Sequence, residues 1–142
     1  MKVEQILQAK GADVFAVSPD DKITDAIALL NDKNIGAVIV RTASGDVAGI
    51  LSERDIVRRL GQNGADALLM KVNDCMTSNV HTCSADASVD ELMAKMTEKR
   101  IRHLPVTNGG KIVGVVSIGD VVKRKIEEAE QEAAALKEYI AT

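Results

Sequence analysis

Apolar positions along the chain follow two rhythms that take turns. Ile23, Ala26, Ile27 and Leu30 fall at helical spacing, and Val89, Leu92, Met93 and Met96 repeat it. Each set makes one apolar stripe on an amphipathic helix. A Ser-x-Asp stands ahead of each stripe, at Ser18–Asp20 and Ser84–Asp86, and supplies capping side chains; Pro19 favours a turn there. After each stripe comes an apolar run, "IGAVIV" or "IRHLPV", then a polar turn with Gly, then a second run, "VAGIL" or "IVGVV". Two β-branched runs joined in this way predict a β-hairpin. The Ser that follows each hairpin caps a further helix, "ERDIVRRL" or "IGDVVKRKI".

The two halves are one pattern written twice. Residues 18–40 align on 84–106 without a gap, and "GILSERD" (49–55) then falls on "GVVSIGD" (114–120) after a turn shorter by one residue. Each unit reads as a short extended segment, helix, strand, strand, helix, an α+β order. Repeated units of this kind often cannot bury their apolar face alone. "MKVEQILQAK" reads as a short leading helix, and "VNDCM" is its counterpart before the second unit. Residues 61–71, "GQNGADALLMK", read as the link between units. Past the second unit, Val122, Ile126, Ala129, Ala133, Leu136 and Ile140 form a heptad seam. Three heptads with Ala at the seam are too weak to stand alone in water, so the stripe should pack on the body or on a partner subunit.

Composition narrows the functional classes. A chain of 142 residues makes one compact domain or two small interlocked halves. Phe15 and Tyr139 are its only aromatics, which weakens the case for recognition of single-stranded nucleic acid by base stacking. A net charge of −3 and a pI near 5.4 argue against nucleic acid as a partner. No apolar run has the length of a membrane span, and the N-terminus lacks the apolar middle of a signal peptide. The expectation is a cytoplasmic protein without a membrane partner. Cys75 and Cys83 form no CxxC and read as two unpaired thiols, with a redox switch as the alternative. "GGKIVG" lacks the spacing of a phosphate loop, no GxGxxG opens a helix, and two His with two Cys make no metal set. With no Ser/His/Asp order and no standout carboxylate pair, the chain is not expected to be an enzyme.

The doubled "GxxSxxD" carries the candidate chemistry. Asp lies one turn into the helix that the Ser caps, so hydroxyl and carboxylate share a face at its N-terminus. Such a carboxylate accepts two hydrogen bonds from a vicinal diol, as a ribose presents, and a helix N-terminus favours a phosphate nearby. The plain alternative is that Ser and Asp are only helix caps.

Over about residues 1–123 the chain resembles a tandem pair of CBS domains, the regulatory modules named after cystathionine β-synthase. The likeness rests on "VSPDDKITDAIALLNDKNIGAVIV…GDVAGILSERDIV" and "TCSADASVDELMAKMTEKRIRHLPV…GKIVGVVSIGDVV". It implies two β-α-β-β-α repeats packed with pseudo-twofold symmetry, plus a C-terminal helix. The boundaries are 1–62 for repeat 1 with the leading helix, 63–71 for the linker, 72–124 for repeat 2 and 125–142 for the extension. It also implies two clefts between the repeats that bind AMP, ADP, ATP, NAD(H) or S-adenosylmethionine.

Carried over residue by residue, the resemblance puts the ribose diol on Asp55 and Asp120, with Ser52 and Ser117 assisting and Ile50 and Val115 edging the adenine. Asp55 is expected to face Val80, His81, Arg102 and His103, and Asp120 to face Val14, Phe15, Gly36 and Ala37. The Asp55 cleft gains cations from Arg102, His103 and Arg54, and should take the more phosphorylated ligand. Arg58 and Arg59 read as a solvated helix face. Related modules pair into flat discs, so a homodimer is expected. The function implied is a stand-alone sensor that acts in trans on an unknown target protein, with an adaptor lacking any physiological nucleotide as the alternative.

Overall fold

A computed structural model describes residues 1–141. The chain falls into two compact units, Val14–His81 and Met1–Asp13 with the chain from Thr82 onward. In the first, β1 (Ala16–Val17) is followed by α2 (Ile23–Lys33), β2 (Ala37–Arg41), β3 (Val47–Ser52) and α3 (Glu53–Asn63). A 3-10 turn (Gly64–Leu69) and the four-residue α4 (Val72–Cys75) complete it. In the second, α1 (Val3–Lys10) joins β4 (Cys83–Ser84), α5 (Val89–Lys99), β5 (His103–Asn108), β6 (Lys111–Ser117) and α6 (Ile118–Ala141).

Both sheets have three strands with the same topology. β1 runs parallel to β2, which pairs antiparallel with β3; β4, β5 and β6 repeat this. The register shift recurs too, between Val40 and Arg41 and between Val106 and Thr107. The second hairpin turns on Gly109 and Gly110, whose φ values of 62° and 80° suit a two-residue turn that follows strand twist. Strand order and hairpins match the sequence expectation.

The predicted helical stripes are the cores. Ile23, Ala26 and Leu30 bury against Val38, Val40 and Leu51; Val89, Leu92 and Met96 bury with Leu104, Val106 and Val116. The leading segments belong to the opposite repeat from the one that follows them by sequence order. Val3, Ile6 and Leu7 of α1 sit in the core of the second repeat, and Val72 and Cys75 of α4 in that of the first. Grouping by sequence order put α1 with residues 1–62; the contacts group it with the second repeat. Val3 N donates to Ala87 O at 2.9 Å, and Val72 N to Asp21 O at 2.8 Å, so each leader is bonded beside the start of its host's first long helix.

Three local expectations change. The Ser-x-Asp segments close turns and do not cap the helices. Asp21 N donates to Ser18 O and Ala87 N to Ser84 O, and it is Ser88 that caps α5, accepting from Glu91 N at 3.0 Å. The link between repeats contains the 3-10 turn, with Ala67 buried. The C-terminal helix is present but begins inside repeat 2 and not at residue 125, because α6 runs unbroken over the 24 residues Ile118–Ala141. Its one buried residue is Val121, and Val122, Ile126, Leu136 and Ile140 are 48%, 54%, 59% and 74% exposed. The heptad stripe therefore does not pack on its own unit. Among the described residues no helix is long and apolar enough to cross a membrane.

Candidate nucleotide site

Each "GxxSxxD" begins inside a strand and ends on a helix. Ser52 closes β3 and caps α3: Asp55 N donates to Ser52 Oγ at 3.3 Å, while Ser52 N returns a bond to Asp55 Oδ2 at 2.9 Å. Ser117 and Asp120 repeat this at 3.2 and 2.9 Å. The first residue of each helix is tied to the residue just ahead of its hairpin's first strand. Glu53 N donates to Gly36 O at 2.9 Å, and Ile118 N to Arg102 O at 2.8 Å. The carboxylates are thus fixed one turn inside the helix N-termini, where the helix dipole stabilises a negative charge.

The Gly of each motif admits the leading segment. A Cβ at Gly49 would stand 2.5 Å from the Thr77 carbonyl oxygen and 3.0 Å from Met76 Sδ. At Gly114 it would meet Leu7 Cδ2 at 2.6 Å. Through that opening Thr77 bridges to Ile50, N to O in both directions at 3.0 and 2.9 Å. Its hydroxyl then donates to Asp55 Oδ1 at 3.0 Å. Asp55 is 7% exposed, and Ser52 Oγ also lies 3.0 Å from its Oδ2. Arg58 Nη1 stands 3.9 Å from Oδ1.

In the second repeat one side chain fills both roles that Thr77 has in the first. Lys10 Nζ donates to Val115 O and to Asp120 Oδ2, each at 2.7 Å. Burial pushes the Asp120 carboxyl up. The Lys10 ammonium and the Ser117 N–H and hydroxyl outweigh that and hold it below the ordinary 3.8.

A cavity of about 280 Å³ opens beside Asp55. Arg58, Arg59 and Gln62 continue the Asp55 face of α3 into it, and Cys75, Met76 and Thr77 line the other side. Arg59 Nη2 donates to Asp74 O at 2.6 Å. Arg58 is 60% exposed, as a solvated helix face predicts, at the edge of this cavity, whereas Arg59 is half-buried in it. Burial raises the Cys75 thiol pKa, with Arg59 pulling it down and Asp74 and Asp55 adding to the rise. Among the described residues no group of three or more His, Cys, Asp or Glu is set to hold a metal.

The other predicted residues sort by unit. Ile50, Ser52, Arg54 and Asp55 lie together with Gly36 and with Ala37, which pairs with Ser52. Phe15 leads into β1, its carbonyl accepting from Ile39 N at 3.0 Å and its ring 5.3 Å from Lys33 Nζ. Val14, Val80 and His81 are half-buried in the same unit. Arg102 and His103 belong to the other unit, where Arg102 O accepts from Ile118 N and His103 pairs with Ser117. Sequence reasoning missed Lys10 and Thr77. The available signal was a second repeat, "MKV" at 1–3 and again at 70–72, which opens the two leading segments that have Lys10 at the end of one and Thr77 just past the other.

The chain as a whole is similar to known proteins. The CBS domain family model matches twice, at residues 3–62 and 72–127, and the chain belongs to that family. It is 32% identical over 146 residues to the mitochondrial CBS domain-containing protein CBSX3 of Arabidopsis thaliana, covering 97% of this chain and 71% of that one. The crystal structure of a CBS-domain containing protein from Agrobacterium tumefaciens superposes with a TM-score of 0.85 at 44% identity, over 87% of this chain and 92% of that one. The CBS domain pair of protein MJ0100, in complex with 5'-methylthioadenosine and S-adenosyl-L-methionine, gives 0.80 at 26% identity, over 90% and 98%.

Proposed function

We propose that the chain is a regulatory module that senses an adenosine-containing ligand and passes its state to a partner protein, without chemistry of its own. The observation that carries this is the pair of carboxylates, Asp55 and Asp120, each fixed by a capping Ser at a helix N-terminus beside a strand carbonyl. A ribose diol needs such an acceptor, and a helix N-terminus favours phosphate. The ligands of MJ0100 are adenosines and give the class. AMP, ADP, ATP and NAD(H) are the candidates within it, together with S-adenosylmethionine. The resemblance assigns Val80, His81, Arg102 and His103 as further contacts for the Asp55 ligand, and Val14, Phe15, Gly36 and Ala37 for the Asp120 ligand. Arg54, Arg58 and Arg59 add cations around Asp55, so this site is the one for the more phosphorylated ligand.

Binding would bias the module between arrangements, and a partner would respond only to the difference in its affinity for them. A homodimer is part of the reading, with the exposed face of α6 as one contact. Small-angle scattering at micromolar concentration should give twice the chain mass, and a monomer would remove the dimer from the account.

Thermal shift with AMP, ADP, ATP, NADH and S-adenosylmethionine tests the ligand class. A ligand at 100 times its dissociation constant adds about 2.7 kcal/mol of stability. No shift with any of them would leave an adaptor without a nucleotide. Mass spectrometry of copurifying small molecules would name the ligand.

A further inference from the structure

We infer that Lys10 is an internal occupant of the Asp120 motif and decides which ligands that motif accepts. The inference rests on the ribose reading of Asp120. In the first repeat, the Ile50 carbonyl and the Asp55 carboxylate are both taken by Thr77, through its backbone N–H and its hydroxyl. In the second repeat the corresponding groups, Val115 O and the Asp120 carboxylate, are both taken by one ammonium at 2.7 Å, which shares Asp120 Oδ2 with Ser117 N. Lys10 ends the leading helix α1 and Thr77 follows the leading helix α4, so each motif is closed from a leader, but by different chemistry.

A hydroxyl donates and accepts, so a sugar hydroxyl arriving at Asp55 can bond Thr77 and the carboxylate together. An ammonium has donors only. A diol arriving at Asp120 competes with Lys10 for the carboxylate, and the ammonium bond, with both partners charged, is the stronger of the two. The backbone of α1 is held by Val3, Ile6 and Leu7 in the core, while the Lys10 side chain is 36% exposed and has room to leave. A ligand bearing phosphate gives the displaced ammonium a new partner. A neutral nucleoside gives it none. Lys10 thus selects for anionic ligands at Asp120 by excluding uncharged ones.

The test uses adenosine and AMP with Asp55→Asn, which leaves the Asp120 motif to be read alone, and with Asp55→Asn/Lys10→Met. Calorimetric titration of Asp55→Asn should show AMP binding and adenosine about tenfold weaker or absent. Lys10→Met should strengthen adenosine by about tenfold and close the gap between the two. Unchanged or weaker adenosine binding on removing Lys10 overturns the inference. If the double variant binds neither while wild type binds AMP, the ribose reading of Asp120 fails, and the inference with it. A readout without ligand is the carboxyl NMR titration of Asp120: Lys10→Met should raise its midpoint, and an unmoved midpoint overturns the contact itself.

Discussion

Thr77 Oγ1 donates to Asp55 Oδ1 at 3.0 Å, and this bond ties the segment after α4 to the start of α3. It exists because Gly49 has no side chain: the Thr77 carbonyl passes where a Cβ would stand. A strand glycine, a backbone bridge and a helix-capping carboxylate are therefore one device. The sequence shows its two ends, Gly49 and Asp55, but not the Thr between them.

Thr77→Val keeps the shape and removes the donor to a carboxylate that is 7% exposed. A buried acceptor left short of a partner costs about 1–3 kcal/mol. Urea unfolding should show a loss in that range, with Thr77→Ser recovering most of it. A Thr77→Val variant as stable as wild type would mean that the bond contributes nothing.

Gly49→Ala and Gly114→Ala look equivalent in the repeat alignment but meet different neighbours. At Gly49 the obstacle is a backbone oxygen in a two-way bridge; at Gly114 it is the far end of Leu7, which can turn aside. Overpacking that moves backbone costs about 1–3 kcal/mol, and side-chain relief costs less. Thermal denaturation should rank Gly49→Ala well below Gly114→Ala; the reverse order would contradict the packing described.

The acid limb of stability should carry the Asp120 signature. Its folded pKa lies below the unfolded 3.8, so its stabilisation is complete above 3.8 and lost as pH falls through the folded value. Asp120→Asn should flatten the loss of stability below pH 3.8, and Lys10→Met should do so in part. Acid unfolding curves that superpose for all three proteins would remove this role.

The thiols should be slow. Burial raises both Cys75 and Cys83, partly offset by Arg59 and by Lys95. At pH 7 the native protein should react with a thiol reagent far more slowly than the urea-unfolded chain, because only the thiolate attacks. Rapid native labelling of either cysteine would reopen the redox reading.

What the sequence made legible was whatever it repeats with fixed spacing. The Ile23 and Val89 stripes, the two hairpins, and Ser52–Asp55 with Ser117–Asp120 are each set by neighbours within a few residues, so periodicity and capping rules find them. What it hid is non-local. Lys10 reaches an acceptor 110 positions away, and α1 lies in the core of the second repeat. No local pattern states which repeat a leading segment joins. The contact of Arg59 with α4 is hidden too, because one exposed helix face looks like another until α4 is set against it. The α6 stripe is a converse case: its heptad spacing is real, yet past Val121 the helix leaves its own core.

The most direct test of the account is titration calorimetry of AMP against wild type and the Asp55→Asn/Asp120→Asn double variant, with both confirmed folded by circular dichroism. The account predicts saturable binding to wild type that the double variant loses. Binding to the double variant with wild-type affinity would contradict it.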